Sequence, residues 1–102
     1  MNLSISASMD NGAALLTLSG RLDANTSDCF FEAVCKEVAG GRANVRVDAS
    51  AVPYISSAGL RAMLQSHRKT ASAGGSFRIV RASPFVSQTI SMSGLDQLLG
   101  DE

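Results

Sequence analysis

Cysteine, histidine and aromatic residues are scarce in this sequence. It has 102 residues, of which two are cysteine, one is histidine, one is tyrosine and none is tryptophan. With His67 as the only imidazole and no C-x-x-C pair, the ligands of a zinc or redox site cannot be assembled, and we expect no metal or other cofactor. Cys29 and Cys35 lie in a predicted helix about 9 Å apart along its axis, which excludes a disulfide. We expect two reduced, half-buried core thiols.

The sequence also lacks a net charge and a long apolar run. Nine Lys and Arg balance nine Asp and Glu, so the phosphate attraction that brings basic domains to nucleic acid is missing overall. No apolar stretch approaches the ~20 residues that span a bilayer, and residues 1–10 lack the features of a secretory signal. We therefore expect a cytoplasmic protein that binds no nucleic acid and does not insert into a membrane. Residues 1–102 are long enough for one globular domain with its own core.

The first part of the chain predicts a hairpin followed by a helix. Residues 3–8 alternate between apolar side chains and serine, which is typical of a strand with one buried face. Residues 10–12 (Asp-Asn-Gly) favour a tight turn, and residues 14–19 form a second, antiparallel strand. Thr26 is expected to cap a helix that ends at residues 40–41 (Gly-Gly). The apolar residues that follow at helical spacing are Phe31, Val34, Cys35 and Val38.

The rest of the chain predicts two more strands, each followed by a helix. Residues 43–49 form the third strand, and either Ser56 or Ser57 can cap the next helix, which ends at Gly74. The residues at helical spacing in that helix are Leu60, Met63, Leu64, His67 and Ala71, and His67 is interpreted as a core residue. The remaining elements are a fourth strand over residues 77–80, a short helix from Ser83-Pro84 to about Met92, and a final turn or sheet edge at Leu95, Leu98 and Leu99.

These elements follow the order β-β-α-β-α-β-α and predict a single α/β domain. Its sheet is mixed but mostly parallel, with four or five strands, because helical crossovers are right-handed and make strands two, three and four parallel. The loops after parallel strands meet at one edge of the sheet. We call this edge the rim, and we expect it to bring together Asp23, Ser56, Ser57 and Ser83.

The two serines at the start of the second helix leave two interpretations open. Either hydroxyl can cap the helix, or one can accept a phosphoryl group, because a helix N-terminus stabilises a dianion. A serine hydrolase is excluded, since His67 lies about 15 Å along the helix from Ser57 and cannot act as its base. No glycine-rich loop predicts ATP binding. Gly59 would leave a partner room to approach Ser57, and Arg61 could meet an acidic partner.

Three stretches of the sequence carry a more specific pattern. They are Gly20-Arg21-Leu22-Asp23, Val47-Asp48-Ala49-Ser50 and Tyr54-Ile55-Ser56-Ser57-Ala58-Gly59-Leu60. Together they resemble the STAS family, named for sulfate transporters and anti-sigma-factor antagonists, over essentially the whole chain. In that family the helix typically starts Asp-Ser-(Ser, Thr or Ala)-Gly-Leu. The chain looks most like the single-domain antagonists, a resemblance that implies a regulator and not an enzyme.

The resemblance implies a partner switch controlled by phosphorylation. In the family, the serine that matches Ser57 is phosphorylated by a kinase that is itself the anti-sigma factor and that brings the ATP. The unphosphorylated antagonist binds this kinase and so frees the sigma factor, whereas the phosphorylated form lets go until a serine phosphatase acts. Asp23 matches an acid in the loop that binds the partner. The residues expected to contact the partner are Asp23, Asn25, Tyr54, Ser56, Ala58, Gly59 and Arg61.

Ser56 departs from the family pattern, in which an acid precedes the phosphorylated serine. This departure places two hydroxyls side by side, so phosphorylation of Ser56 is an alternative. Two other functions also stay open. One is the same switch with an output other than a sigma factor, and the other is a constitutive structural subunit of a transporter or sensor complex, in which Ser57 is only a cap. We expect a monomer or a weak dimer.

Overall fold

The computed structural model describes residues 3–100 and has the predicted order of elements. Its strands are β1 (Leu3–Asp10), β2 (Ala13–Gly20), β3 (Asn44–Ala51) and β4 (Ser76–Ala82), and its helices are α1 (Ser27–Ala39), α2 (Ser57–Ser72) and α3 (Pro84–Met92). A single 3₁₀ turn follows at Asp96–Leu98. No helix in this described range is long and apolar enough to cross a membrane.

The four strands form one mixed sheet in the order β1-β2-β3-β4. β1 is antiparallel to β2, and the other neighbours are parallel, as predicted. Asn11 and Gly12 both have positive φ angles, 53° and 84°, which a two-residue hairpin turn of type I′ requires. Beyond the 3₁₀ turn, Leu99 makes one parallel bridge to Ile79. The C-terminal segment is therefore both a turn and a short extension of the sheet edge.

The core lies between one face of the sheet and the helices. Adjacent parallel strands joined by right-handed crossovers place α1 and α2 on the same face, and only that face is deeply buried. Its buried strand residues include Ala14, Leu16, Leu18, Val45, Val47, Phe77 and Ile79. The opposite face, which we call the open face, carries the exposed Thr17 and the half-buried Arg46 and Asp48. The molecule is thus a two-layer α/β domain.

The buried side of α1 is rotated by one residue from the expected one. Phe30 and Val34 are fully buried, whereas Phe31 is only half-buried. The expectation for the cysteines is half wrong: Cys35 is half-buried, but Cys29 is exposed, and both are free thiols. Successive helical residues point about 100° apart, so a one-residue error in the inward direction moves a side chain to the flank of the helix.

The buried side of α2 also differs from the prediction. Its buried residues are Gly59, Ala62, Met63, Ser66 and Thr70, while Leu64 and His67 are half-buried and Ala71 is exposed. The hydroxyls of Ser66 and Thr70 reach the core because they donate to backbone carbonyls of the preceding turn, at 2.8 and 3.1 Å. A hydroxyl satisfied in this way can be buried at little cost. Apolar spacing alone does not reveal such residues.

Candidate functional site

The start of α2 assigns different tasks to its two serines. Ser56 is the N-cap, with extended backbone angles, and its Oγ accepts a hydrogen bond of 3.2 Å from the N–H of Gly59. This bond satisfies one of the N–H groups that a helix leaves without a partner in its first turn. The sequence left the cap open between Ser56 and Ser57, and the structure assigns it to Ser56.

Ser57 is the first residue of α2, and its side chain is exposed. Within residues 3–100, its hydroxyl makes no hydrogen bond, and the helix is capped by Ser56. The interpretation of Ser57 as a capping residue is therefore wrong. The hydroxyl sits at the positive end of the α2 dipole, where an added negative charge is favourable. Among the rim serines Ser56, Ser57 and Ser83, it is Ser57 whose hydroxyl makes no hydrogen bond within the described residues.

Gly59 is required by the packing of the rim. It is buried, and a Cβ atom there would lie 2.7 Å from the carbonyl oxygen of Leu22 and 2.8 Å from Cγ1 of Ile55. The space left by the missing side chain is thus filled by the loop after β2. The expectation that this space admits a partner's active site is wrong for that reason.

Leu22 joins the loop after β2 to the start of α2. Its N–H donates to the carbonyl of Tyr54, and its carbonyl accepts from the N–H of Ser56, each at 3.0 Å. The two segments form an isolated parallel bridge between Leu22 and Ile55, both of which are buried. We call these two hydrogen bonds the Leu22 clamp. The clamp holds two of the predicted rim loops together.

Asp23 organises the loop that follows the clamp. Its carboxylate accepts from the N–H of Asn25 at 3.0 Å and from the hydroxyl of Thr26 and Nε of Arg21, both at 3.4 Å. Burial raises the pKa of the Asp23 carboxyl, but these three hydrogen bonds and the charge of Arg21 outweigh it and leave the pKa below its ordinary value. Asp23 is therefore charged near neutral pH.

Thr26 occupies the predicted N-cap position of α1, but its side chain does not cap the helix. Its hydroxyl donates to the carbonyl of Arg21 at 2.9 Å and accepts from the N–H of Asp23 at 3.0 Å. Thr26 is almost completely buried. The residue thus fixes the loop after β2 rather than the helix.

Two aromatic rings and a guanidinium form a stack beside the clamp. Cζ of Arg21 lies 4.4 Å from the centroid of the Tyr54 ring. Tyr54 in turn stacks on Phe85, with ring centroids 5.4 Å apart and an angle of 28° between the planes. We call Arg21, Tyr54 and Phe85 the stacked column. It connects the loops after β2 and β3 with the first turn of α3, so all three predicted rim segments meet.

The remaining predicted site residues differ in exposure. Asn25 and Arg61 are exposed, and Ala58 is half-buried. Ser83 lies at the rim as expected, but it is buried, donating to the carbonyl of Val52 and accepting from the N–H of Val86. It is thus a structural cap of α3. No group of three or more His, Cys, Asp or Glu residues in the described part of the chain could hold a metal ion.

Sequence reasoning missed two members of the stacked column, Arg21 and Phe85. Phe85 is 43% exposed, although it belongs to one of the most strongly buried residue types. Its position directly after the Ser83-Pro84 helix start could have placed it at the rim. Its stacking on Tyr54 depends on how α3 packs, which local spacing does not reveal.

Comparison with known proteins agrees with this architecture. A family model described as "Mlab, STAS domain" matches residues 5–100. The chain belongs to the STAS family. The resemblance of its three sequence stretches to this family is thereby confirmed, and so is the predicted fold class, a single small α/β domain with a mixed sheet.

Three proteins that resemble the chain are named as anti-sigma factor antagonists. The anti-sigma-F factor antagonist RsfB of Mycobacterium tuberculosis is 26% identical over 96 residues, which are 94% of this chain and 78% of RsfB. The crystal structure of an anti-sigma factor antagonist from Mycobacterium paratuberculosis superposes with a TM-score of 0.84 at 24% identity, covering 98% of this chain and 86% of that one. The structure of the anti-sigma factor antagonist SpoIIAA in its unphosphorylated form superposes with a TM-score of 0.82 at 17% identity, covering 97% of this chain and 88% of SpoIIAA.

Proposed function

We propose that this protein is an anti-sigma-factor antagonist whose binding to its partner is switched by phosphorylation of Ser57. The partner would be an anti-sigma factor that is also a serine kinase, and a serine phosphatase would reverse the modification. Membership of the STAS family and the names of the relatives support the general role. The match of Ser57 to the phosphorylated serine of the family supports the switch.

The observation that carries this proposal is the unused hydroxyl of Ser57. Ser56 caps α2, and the neighbouring Gly59 closes against Leu22, so neither can change without disturbing the fold. Of Ser56, Ser57 and Gly59, only Ser57 is exposed, and its hydroxyl makes no hydrogen bond within the described residues. A residue with no structural task, placed where a dianion is stabilised, suits reversible modification.

The chemistry would be supplied by the partner. Oγ of Ser57 attacks the γ-phosphorus of the kinase's ATP, the bond to the β-phosphate oxygen breaks, and ADP leaves. The hydroxyl proton passes to a base of the kinase, since the sole histidine of this chain is remote from Ser57. The chain is therefore the substrate of the reaction.

The added charge would act on the interface. A phosphoserine carries about −1.5 to −2 charges near neutral pH, and the rim already holds the carboxylate of Asp23. A charge that an interface buries without a partner costs several kcal/mol. Arg21 and Arg61, both exposed, would meet acidic groups of the partner in the unphosphorylated complex.

The test compares Ser57→Ala with Ser56→Ala, its neighbour in sequence. Each variant is incubated with ATP and the candidate kinase, followed by intact mass and thermal melting. We expect Ser57→Ala to take no phosphate while its melting temperature stays unchanged. Ser56→Ala should keep phosphorylation but lose about 0.5–2 kcal/mol of stability with its cap. Phosphate on Ser57→Ala would contradict Ser57 as the site, and its loss from Ser56→Ala alone would assign the modification to Ser56.

Binding distinguishes the switch from a constitutive subunit. We expect Ser57→Asp to fold like Ser57→Ala but to bind the kinase at least a hundredfold more weakly, which corresponds to about 3 kcal/mol. Titration calorimetry measures both affinities. Equal affinities, with no phosphate on the wild-type chain, would contradict the switch and favour a structural subunit. Binding that is switched without any sigma factor being released would favour another output.

A further inference from the structure

The outer side of β1 has no partner within the described residues. β1 is eight residues long and lies at the edge of the sheet. Its pairing with β2 is regular from Leu3↔Gly20 to Asp10↔Ala13, with no bulge. One row of backbone N–H and C=O groups therefore points away from the sheet along the whole strand.

The hairpin turn determines which backbone groups point outward. Asn11 and Gly12 form a two-residue turn, so the flanking pair Asp10↔Ala13 exchanges backbone hydrogen bonds. Hydrogen-bonded and non-bonded residue pairs alternate along two antiparallel strands. The backbone groups of Ser4, Ser6 and Ser8 therefore also bond to β2. The outward groups thus belong to Leu3, Ile5, Ala7 and Met9.

Residues 3–9 of this edge carry none of the usual protection against pairing. Natural edge strands are blocked by Lys, by Pro, by bulges or by a covering element. Residues 3–9 contain no charged residue and no proline. On the open face they present only serines, which are exposed and small. Residues 3–9 of β1 therefore offer no charge, proline or bulge that would oppose pairing with another strand.

The other side of β1 leaves apolar surface uncovered. Ile5 is half-buried, Ala7 is exposed, and Met9 is 58% exposed, although all three face the same side as the core. A groove of about 370 Å³ lies between this row and α1. Within the described residues, the outer edge of β1 thus lacks both hydrogen-bond partners for its backbone and packing for its apolar side chains.

The charges on the α1 wall of this groove are self-complementary. Glu32 and Lys36 both line it, one helical turn apart. A two-fold axis perpendicular to the sheet would pair two copies of β1 antiparallel and keep the helices of both copies on one face. It would also run the two α1 helices in opposite directions, which brings Glu32 of one copy toward Lys36 of the other.

We propose that β1 is a self-association surface, on which a second copy of this chain pairs its own β1 antiparallel to form a continuous eight-stranded sheet. The pairing satisfies the outward groups of Ile5, Ala7 and Met9 and extends the apolar row across the two-fold axis. None of the rim residues takes part, so the proposal stands independently of the proposed function.

Sedimentation velocity of the wild-type chain from micromolar to millimolar concentration tests the proposal, together with two variants. Ser6→Lys places like charges across the two-fold axis, which should weaken the dimer at least about tenfold. Thr17→Lys is the matched control, since Thr17 pairs with Ser6 but lies one strand further in. We expect Thr17→Lys to dimerise like the wild type. Circular dichroism should show that both variants are folded.

Hydrogen exchange gives the second measurement. With rising concentration, the amides of Ile5, Ala7 and Met9 should become protected, whereas those of Ser4, Ser6 and Ser8 should be protected throughout. A chain that stays monomeric at millimolar concentration would overturn the proposal. So would a dimer that Ser6→Lys and Thr17→Lys weaken equally, or one that leaves the outward amides unprotected.

Discussion

At the level of single residues, position 59 must be glycine because the loop after β2 passes too close to it for a side chain. A helical Gly→Ala change normally stabilises a protein by up to about 1 kcal/mol. Here a Cβ would overlap a backbone oxygen, the carbonyl of Leu22 at 2.7 Å. We therefore expect Gly59→Ala to destabilise the fold by about 1–3 kcal/mol, as overpacking does.

Urea unfolding measures this effect against a control in the same helix. Gln65→Ala changes an exposed residue of α2 and should shift stability by less than about 0.5 kcal/mol. A Gly59→Ala variant as stable as the wild type would show that the loop after β2 can move away from α2, and it would remove the structural reason given for this glycine.

The serines show what could and could not be predicted at this scale. Their place at a helix start followed from the apolar spacing that begins at Leu60, because capping is a local interaction. Which of the two hydroxyls caps depends on where the extended backbone turns into the helix, and the sequence left it open. The task of Thr26, which bonds to Arg21 and Asp23 instead of its helix, depends on the loop before it and was equally hidden.

At the level of elements, α3 contributes an exposed ring to the rim. Phe85 is 43% exposed yet stacks on Tyr54, so it is both ordered and available to a partner. Ordered aromatic residues of this kind often dominate binding energies. We expect Phe85→Ala to weaken binding of the proposed kinase partner at least about tenfold, while the lost stacking costs only about 0.5–1.5 kcal/mol of stability.

Met92→Ala on the same helix provides the comparison. Met92 is 79% exposed and belongs to the last turn of α3, seven residues beyond Phe85. Calorimetric titration should find its affinity unchanged. If both variants lost affinity equally, the contact would extend along the whole helix. If neither did, the stacked column would serve only to hold α3.

The helices and strands were predicted correctly where short sequence signals mark their ends. The Asp10-Asn11-Gly12 turn and the glycines after the helices each act within a few residues, and the structure has the expected hairpin and helix ends. The inward directions of α1 and α2 were shifted, because they depend on how the helices pack together. Ser66 and Thr70 are buried and Cys29 is exposed, which polarity alone does not predict.

At the level of the whole molecule, the open face of the sheet couples folding to pH through Asp48. Its carboxylate accepts from the N–H and hydroxyl of Ser50, at 3.0 and 2.7 Å, and from Arg81 at 3.3 Å. Burial raises the pKa of this carboxyl, but the hydrogen bonds from Ser50 and the contact with Arg81 lower it below its ordinary value. The charged form is therefore favoured by folding.

The sign of the pH dependence follows from this lowered pKa. The contribution of Asp48 is fully present above the pKa of the unfolded chain, about 3.9, and is lost as the pH falls through the lower folded pKa. We expect Asp48→Asn to lower the melting temperature by a few degrees at neutral pH, and the difference from wild type to shrink in acid. Asp10→Asn, at an exposed position, is the control. A difference in melting temperature between Asp48→Asn and the wild type that did not change with pH would contradict the linkage.

The overall architecture was the most predictable property, because connection rules restrict it strongly. Strands joined by a helical crossover in one sheet are usually parallel, and the crossover is nearly always right-handed, so the meeting of the rim loops followed once the element order was known. The contacts within the rim did not follow. The Leu22 clamp joins residues more than thirty positions apart, and the stacked column joins two loops and the first turn of α3.

The Leu22 clamp has a consequence for the speed of the proposed switch. Because backbone hydrogen bonds hold the loop after β2 against the start of α2, the surface that presents Ser57 is already in place before any modification. No loop must close and no helix must form when the phosphate arrives or leaves. The response time would then be that of the kinase and the phosphatase alone, and the chain would pass between its two forms without a relaxation step of its own.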